Sequence, residues 1–508
     1  MRLLKLIEEI EGIRFGNSLA LEDIQITGIC PDSSRVAIGN LYIAIEGLKS
    51  DGHEYICDAI GRGAAAVAVS ERALKEKIID AEGLSVPIIV CEDTRAFASY
   101  AFSAFCDHPQ RKMKMIGVTG TNGKTSVSRL IFEILRRSGV PCGIIGTTGS
   151  FTHKSQIDIK SKNKLANMTT PEPEELYPIL LEMEKLGCSV VIMEVTSHAL
   201  FQKRVEPISF YASVFTNLSE DHLDFHENME NYFATKASLF KKSGLAVINY
   251  DDRYGRRLAD MIDIPALLCS AEGREVSCYA EDIRLSGKKG IEYKLSSPNM
   301  RLRVRSPLKG AFNVMNTMQA AIVAYALGAS ALDIKTTLDR FFGVSGRLER
   351  LKLDASADFS VYVDYAHTPD ALENLIRAAK SFAVGEQRIV LLFGCGGDRD
   401  KGKRPHMGKI ATALADFVVI TSDNSRSEDP KDIISDILAG ISNSDGAPYT
   451  VIEDRRSAID YVIKNARQGD IILLAGKGHE EYEIDSLGIR PFSEREIVNE
   501  FVKKYYGR

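Results

Sequence analysis

The sequence predicts an α/β protein of three domains, with parallel sheets joined by crossover helices. Three observations lead there. Short apolar, β-branched runs alternate with helical patterns along the chain, as strands and crossover helices do. One of those strands runs directly into a glycine-rich loop and then a helix. The length, 508 residues, is about three domains' worth.

Taken in order, the start of the chain (1–15) mixes Lys and Glu among its apolar residues and reads as a short helix, not a signal peptide. Strands are expected at 41–45, 65–69 and 87–90. The stretch Cys106-Asp107-His108-Pro109-Gln110 is polar and then broken by proline, so it reads as a linker and bounds a first domain at 1–108. A second domain, 109–343, opens with the strand Met115-Ile116-Gly117-Val118-Thr119. It has further strands at 189–195 and 212–216 and closes near a helix at 317–327 that Gly328 can cap. A third, 344–508, has strands at 361–363, 389–393, 417–420 and 471–474 with helices between them. That doubly wound pattern places ligands at the carboxyl ends of the strands. There is no internal repeat.

Composition narrows the function classes. Hydrophobic residues at 44% and charged residues at 26% are those of a soluble globular protein. The net charge of −5 argues against a nucleic-acid partner, which asks for a basic face. The nine cysteines include no Cys-x-x-Cys pair and read as reduced, mostly buried thiols. No apolar run is long enough to span a bilayer. The expected compartment is the cytoplasm.

The strongest single signal is Gly117-Val118-Thr119-Gly120-Thr121-Asn122-Gly123-Lys124-Thr125-Ser126. Glycines let backbone N–H groups crowd a polyphosphate, and the helix start that follows adds a positive dipole end. Lys124 can reach the outer phosphates and Thr125 can hold Mg²⁺. The spacing departs from the strict G-x-x-x-x-G-K-[ST] pattern, because the nearest upstream glycines are Gly117 and Gly120. The helix beyond carries Leu130, Ile131, Ile134 and Leu135 on one face.

Two polar clusters follow apolar strands. They are Met193-Glu194-Val195-Thr196-Ser197-His198 and Thr216-Asn217-Leu218-Ser219-Glu220-Asp221-His222-Leu223-Asp224-Phe225-His226. Strand ends of a nucleotide-binding sheet face the nucleotide, so Glu194 and His222 are candidate Mg²⁺ ligands. The competing reading makes His222 and Asp224 helix-start residues, and His198 and His226 read as structural. Lys236, in an apolar helical stretch, reads from composition as a surface lysine with a buried stem. In the third domain, Asp364-Tyr365-Ala366-His367-Thr368-Pro369 follows a strand. So do the cation-rich glycine turn Gly394-Cys395-Gly396-Gly397-Asp398-Arg399-Asp400-Lys401-Gly402-Lys403-Arg404-Pro405 and the loop Gly476-Lys477-Gly478-His479-Glu480. Cys395 reads as a packed small residue, not a nucleophile.

These motifs, with Asp32-Ser33-Ser34-Arg35, Asp51-Gly52-His53 and Asp423-Asn424-Ser425-Arg426, resemble the Mur ligases over nearly the whole chain. Within that family the pattern is similar to the branch that adds the third residue of the peptidoglycan stem peptide. The resemblance implies an N-terminal UDP-binding domain, a central P-loop ATPase domain with helices on both faces of its sheet, and a C-terminal Rossmann-like domain that binds the incoming amino acid. It implies that Gly120, Thr121, Asn122, Gly123, Lys124, Thr125 and Ser126 hold ATP, with Asn313, Asn316, Arg347, Asp364 and His367 around it. It raises Glu194 and His222 to Mg²⁺ ligands and reverses the reading of Lys236, whose counterpart is carbamylated to an anionic ligand. It assigns Ser33, Thr169, Thr170, Thr196, Gln202 and Arg204 to UDP-N-acetylmuramoyl-L-alanyl-D-glutamate. Arg399, Asp423, Asn424, Ser425, Arg426, Gly476 and Glu480 fall to the amino acid. Three positions depart from the family pattern. Ser34 stands where Arg is usual, Met168 where a polar residue is common, and Ser425 where Pro is usual.

The chemistry implied is amide formation through an acyl phosphate, made from ATP and a substrate carboxylate. Arg426 offers a planar fork for a second carboxylate, which meso-diaminopimelate carries at its far end and L-lysine lacks. Diaminopimelate is therefore the expected amino acid, with lysine the alternative. A folylpolyglutamate synthetase would need neither the N-terminal domain nor the Asp-Asn-x-Arg motif. A purely regulatory P-loop ATPase would not need Arg399 and Glu480. A monomer is expected.

Overall fold

Near the amino terminus, successive residues of three adjacent strands turn to opposite faces, and both faces are buried. Leu41, Ile43, Ala66, Ala68, Ile89 and Cys91 pack on one side. Tyr42, Ala44, Val67, Val69, Ile88 and Val90 pack on the other. Two-sided burial is what a parallel sheet requires. The computed structural model, which describes residues 1–47, 50–157, 168–273, 276–287, 289–354, 356–442 and 446–507, orders this sheet Arg14–Phe15, Ile88–Cys91, Ala66–Ser70, Asn40–Ile43, Gly28–Cys30. Only the Arg14–Phe15 edge is antiparallel.

The chain divides into two compact units. The first comprises Met1–Gly117, Pro141–Tyr211 and Lys242–Gly244; the second comprises Val118–Val140, Ala212–Lys241 and Leu245–Arg508. Besides the N-terminal sheet, the first unit holds the strand Cys142–Gly146. That strand is parallel to Val190–Glu194 and antiparallel to Gly149–Thr152. The helix Pro173–Lys185 starts on proline, whose fixed φ suits a first turn, and buries Leu176, Tyr177, Leu180 and Met183.

In the second unit, Ala212–Phe215, Ala246–Asn249, Ala266–Ser270 and Cys278–Ser286 run parallel. Gly290–Ser297 and Met300–Ser306 then extend the sheet in antiparallel fashion. The last two strands are an addition to the parallel sheet expected from sequence. Met300-Arg301-Leu302-Arg303-Val304-Arg305-Ser306 alternates strictly, with Met300, Val304 and Ser306 buried. The helix Lys124–Arg137 packs against Phe312–Ala326. A second sheet is ordered Glu349–Arg350, Ser360–Asp364, Ile471–Ala475, Ile389–Phe393, Phe417–Ile420, Tyr449–Val451, parallel except at the first strand. Its two faces build separate cores, Leu391, Phe393, Ile420 and Leu473 on one and Val361, Val390, Leu392 and Ile472 on the other. The final helix, Glu494–Tyr506, is pinned by Glu494 against the fully buried Arg455 at 2.8 Å.

Two local expectations change. The helix read at 1–15 is confined to Leu3–Ile7, and Arg14–Phe15 is a strand paired with Ile89 and Val90. The stretch read as a linker at 106–110 is not loose. Cys106, Pro109 and Gln110 are buried, and Pro109–Lys112 forms a 3₁₀ turn. Among the described residues, no helix is long and apolar enough to cross a membrane.

Candidate active site

The glycine loop of the second unit follows the strand Lys114–Thr119 and opens the helix Lys124–Arg137. It is shaped by close approaches. Gly120 has φ +145°, and a Cβ there would collide with Thr216 Oγ1; Gly123 has φ +88°, and a Cβ would press on Asn316 Oδ1. Only glycine tolerates both the angle and the neighbour. The strand end at 216–219 braces the loop. Thr121 N donates to Asn217 O at 2.9 Å, and Asn122 N to Asn217 Oδ1 at 2.9 Å. Thr216 Oγ1 donates to Asn122 O at 2.6 Å. Lys124 Nζ folds back on the carbonyls of Gly120 and Thr121, 2.8 Å from each.

Residues expected around ATP gather at this loop. Arg347 donates to Thr125 Oγ1 at 3.1 Å and lies over the Tyr365 ring. Asn316 donates to Asn313 Oδ1 at 3.0 Å. His367 donates from Nδ1 to Tyr365 O at 2.8 Å in its neutral form. Desolvation, with Lys403 nearby, pushes it down to about 4. Asp364, by contrast, spends both oxygens on backbone N–H groups, Oδ2 on Leu348 and Oδ1 on Ala366. Here it is a clamp for the two segments that carry Arg347 and His367.

Lys236 overturns its composition reading. Its side chain is not a surface group but 1% exposed, because the helix Met229–Ala237 turns it inward beside the loop. Nζ lies 3.1 Å from Gly120 O and above the Tyr232 ring. Burial, with Lys124 nearby, pushes the amine well below its usual range. His226 is structural as expected, stacked on Tyr232 at 5.0 Å.

Sequence reasoning gave no role to Asp221 and Lys403, which it quoted, or to Asp370, which directly follows the motif at 364–369. Asp221 is buried and faces His222 and Lys403 at 3.4 Å each and His367 at 3.8 Å. Burial alone would raise its carboxyl, but His222, Lys403 and His367 hold it below the usual carboxylate range. Asp370, at the start of the helix Pro369–Phe382, accepts from Asn122 Nδ2 at 2.7 Å and so holds the glycine loop from the other sheet. Each sits in or beside a motif that sequence alone could flag, but their pairings join residues far apart in the chain.

At the carboxyl ends of the second sheet, the loops after Ile389–Phe393, Phe417–Ile420 and Ile471–Ala475 converge. Asn424 donates to Glu480 Oε2 at 2.8 Å and accepts from Lys477 Nζ at 2.8 Å. Arg426 donates to Gly397 O at 2.7 Å. A Cβ at Gly396 would press on Arg426 Nη1 and reach the stem of Arg399. Burial, together with the charge of Arg399, lowers Arg426 from its ordinary value, though a guanidinium stays charged. Burial and Asp423 push the Glu480 carboxyl up. Arg426 also donates to Asn424 O at 3.3 Å, so the loops bring Arg399, Arg426, Asp423, Asn424 and Glu480 within reach of one another. Ser425 is buried, and its carbonyl leaves no room for a Cβ at Gly397. At Gly476, φ +118°, a Cβ would strike Asp423. The segment before Arg347 presses on the 476–480 loop. Gly346 (φ +73°) and Gly478 (φ +57°) face each other so closely that a Cβ on either would strike the other's backbone. Cys395 packs on Met407, and burial pushes its thiol up to about 12, as suits a packed residue.

The first unit holds the remaining candidates. Glu194 ends its strand 1% exposed, accepting from Thr147 N and Oγ1 at 3.0 Å each. Thr170 Oγ1 donates to Glu194 O at 2.9 Å and lies 3.2 Å from Thr196 Oγ1. Thr147 and Thr169 hydroxyls are 3.1 Å apart. Arg204 donates to Gln202 and to Thr170 O, and its guanidinium lies 3.5 Å from Met168 Sδ. Ser33 begins the turn Ser33–Arg35, in which Ser34 donates to Asp32 at 2.7 Å. Asp32 therefore caps the turn through Ser34, and Arg35 pairs with Glu174 at 3.3 Å. Among the described residues, no group of three or more His, Cys, Asp or Glu forms a metal site by itself.

Comparison with known proteins agrees with this layout. Residues 25–105 match the Mur ligase family catalytic domain, 118–324 the Mur ligase middle domain, and 346–478 the Mur ligase glutamate ligase domain. The chain is 42% identical to the UDP-N-acetylmuramoyl-L-alanyl-D-glutamate--2,6-diaminopimelate ligase of Gloeobacter violaceus, covering 96% of each chain. It is 39% identical to the ligase of the same name from Caldanaerobacter subterraneus, over 99% of each. A solved structure of a ligase with that name superposes with a TM-score of 0.64 at 30% identity, over 96% of each chain. The MurF ligase of Thermotoga maritima, solved with ADP, shares the fold at a TM-score of 0.59 and 15% identity, over 96% of this chain and 99% of that one. Full-length identity of this order, matched domain by domain, means that the chain belongs to the Mur ligase family.

Proposed function

We propose that this Mur ligase joins meso-diaminopimelate to UDP-N-acetylmuramoyl-L-alanyl-D-glutamate at the expense of ATP, as a cytoplasmic monomer. The observation that carries the amino-acid choice is that Arg426 feels the charge of Arg399 and stands in the same loop cluster as the hydrogen-bonded pair Asn424 and Glu480. A distal carboxylate satisfies the arginines and a distal ammonium satisfies Glu480, whereas lysine leaves the arginines without an anion. The names of its relatives support the same substrates.

The division of labour we propose is UDP-substrate binding by 1–108, ATP binding by 109–343 and amino-acid binding by 344–508. Ser33, Thr169, Thr170, Thr196, Gln202 and Arg204 would hold the UDP-muramoyl dipeptide. The loop 120–126, with Asn313, Asn316, Arg347 and His367, would hold ATP. The substrate's D-glutamate side-chain carboxylate attacks the γ-phosphate, the bond to ADP breaks, and an acyl phosphate forms. The amine then attacks the acyl carbon, phosphate leaves, and the amine's proton passes to solvent. Lys124 swings from its carbonyl contacts to the phosphates, and the helix start behind it favours the accumulating negative charge.

The oxygen donors of Thr125 and Glu194 are hard ligands of the kind Mg²⁺ prefers. A carbamate on Lys236 would add another, and a buried amine whose protonated form is disfavoured suits that modification. His222 would supply the one nitrogen. When bound, Mg²⁺ neutralises charge on the triphosphate.

The test is phosphate release measured with ATP, the UDP-muramoyl dipeptide and each amino acid in turn. Turnover with diaminopimelate well above lysine is expected. Preference for lysine overturns the amino-acid assignment, and no release with any amino acid overturns the ligase assignment.

A further inference from the structure

We propose that Arg404 and Glu428 are positioning residues that set the spacing of Arg399 and Arg426, and so tune the affinity for the incoming amino acid. This rests on the reading of those two arginines as the amino-acid cradle.

Arg404 is fully buried and takes no part in the site itself. Its guanidinium meets Glu428 as a fork, NH1 to Oε2 at 3.0 Å and NH2 to Oε1 at 2.9 Å. NH1 also reaches Asp436 at 2.8 Å, and NH2 the carbonyl of Gly396 at 3.3 Å. Glu428 in turn accepts from Asp398 N at 2.6 Å, one residue before Arg399. Its own N–H donates to Ser425 O at 3.1 Å, one residue before Arg426. Asp398 closes the ring from its side, accepting from Ser427 Oγ at 2.6 Å and Ser427 N at 3.2 Å. The one carboxylate of Glu428 therefore ties together the two loops that carry the arginines.

Those loops need tying. Asp398 at φ +52° and Arg426 at φ +54° both sit in the left-handed region without being glycine, a conformation that persists only where its surroundings enforce it. The cradle also holds two like charges near enough that Arg399 acts on the Arg426 guanidinium. Left to itself, such a pair separates. A bidentate arginine–carboxylate fork has the directional rigidity to resist that, and a lysine in its place does not.

The experiment compares wild type, Glu428→Gln and Arg404→Lys by steady-state kinetics, with the three substrates varied separately. Wild type is first assayed with diaminopimelate and with lysine, which tests the cradle's ligand on its own. The variants are then assayed with whichever amino acid wild type takes. The expected result is a tenfold or greater rise in KM for the amino acid, with KM for ATP and for the UDP-substrate within twofold of wild type. Diaminopimelate protection against thermal unfolding should weaken in parallel. Because Arg404 is buried, Arg404→Lys is read only if its melting curve stays cooperative; Glu428→Gln carries the test otherwise. An unchanged amino-acid KM in folded Glu428→Gln overturns the proposal. So does an equal rise for all three substrates, which marks a merely structural role.

Discussion

Lys236 illustrates how burial decides a residue's chemistry. A protonated amine 1% exposed beside Lys124 is unfavourable, so burial pushes the Lys236 amine well below its usual range. If the site works with a carbamate there, Lys236→Ala loses an anionic ligand. Its ligation rate should then fall by on the order of 100-fold or more. A short carboxylic acid in the assay should partly restore it; full activity without rescue would remove the carbamate. Arg426→Ala makes the complementary test in the amino-acid cradle. It should cost about 2–5 kcal/mol in kcat/KM for diaminopimelate, the range for losing one partner of a buried charge pair. Use of lysine should change far less, and equal losses for both would contradict the cradle. A further arrangement looks catalytic and is not. Ser70, His53 and Asp51 stand in the order of a hydrolase triad, with His53 Nδ1 2.5 Å from Asp51. But His53 Nε2 already accepts the Ser70 N–H at 3.0 Å, and Ser70 Oγ caps the next helix.

At the scale of elements, the fork between Arg404 and Glu428 links two loops and leaves a signature in acid. Its hydrogen bonds hold the Glu428 carboxyl down to about 2, from an ordinary 4.5. A depressed folded-state value stabilises the fold above the ordinary value, and the stabilisation is lost as pH falls toward the depressed one. The stability gap between wild type and Glu428→Gln, measured by denaturant unfolding, should therefore be smaller at about pH 3.5 than at about pH 5.5. A gap that does not change with pH would mean the ion pair contributes nothing. Elements also differ in how legible they were. Ile389–Phe393 and Phe417–Ile420 read residue for residue, because strands buried on both faces are continuous apolar runs. Met300–Ser306 escaped because its alternation carries three arginines and its partner strand is antiparallel. The glycine loop was plain, being a local motif. Asp221 with Lys403 was not, since the pair spans 182 positions of the chain and only tertiary structure brings it together.

For the molecule as a whole, nine thiols are distributed so that eight are buried and only Cys57 is exposed. A thiol reagent should therefore label one cysteine promptly in the native protein and nine after denaturation. Prompt labelling of several would mean that one of the units opens readily. Packing within the second unit also bears on where change is tolerated. Gly346 and Gly478 each occupy the space the other's side chain would need. Both also sit at positive φ, so neither can be substituted first and repaired by the other later. In a library randomised at both positions, functional clones should retain the glycine pair. For an evolving chain these two positions form a joint dead end. Drift can reshape the surrounding loops but must leave this one point of contact bare.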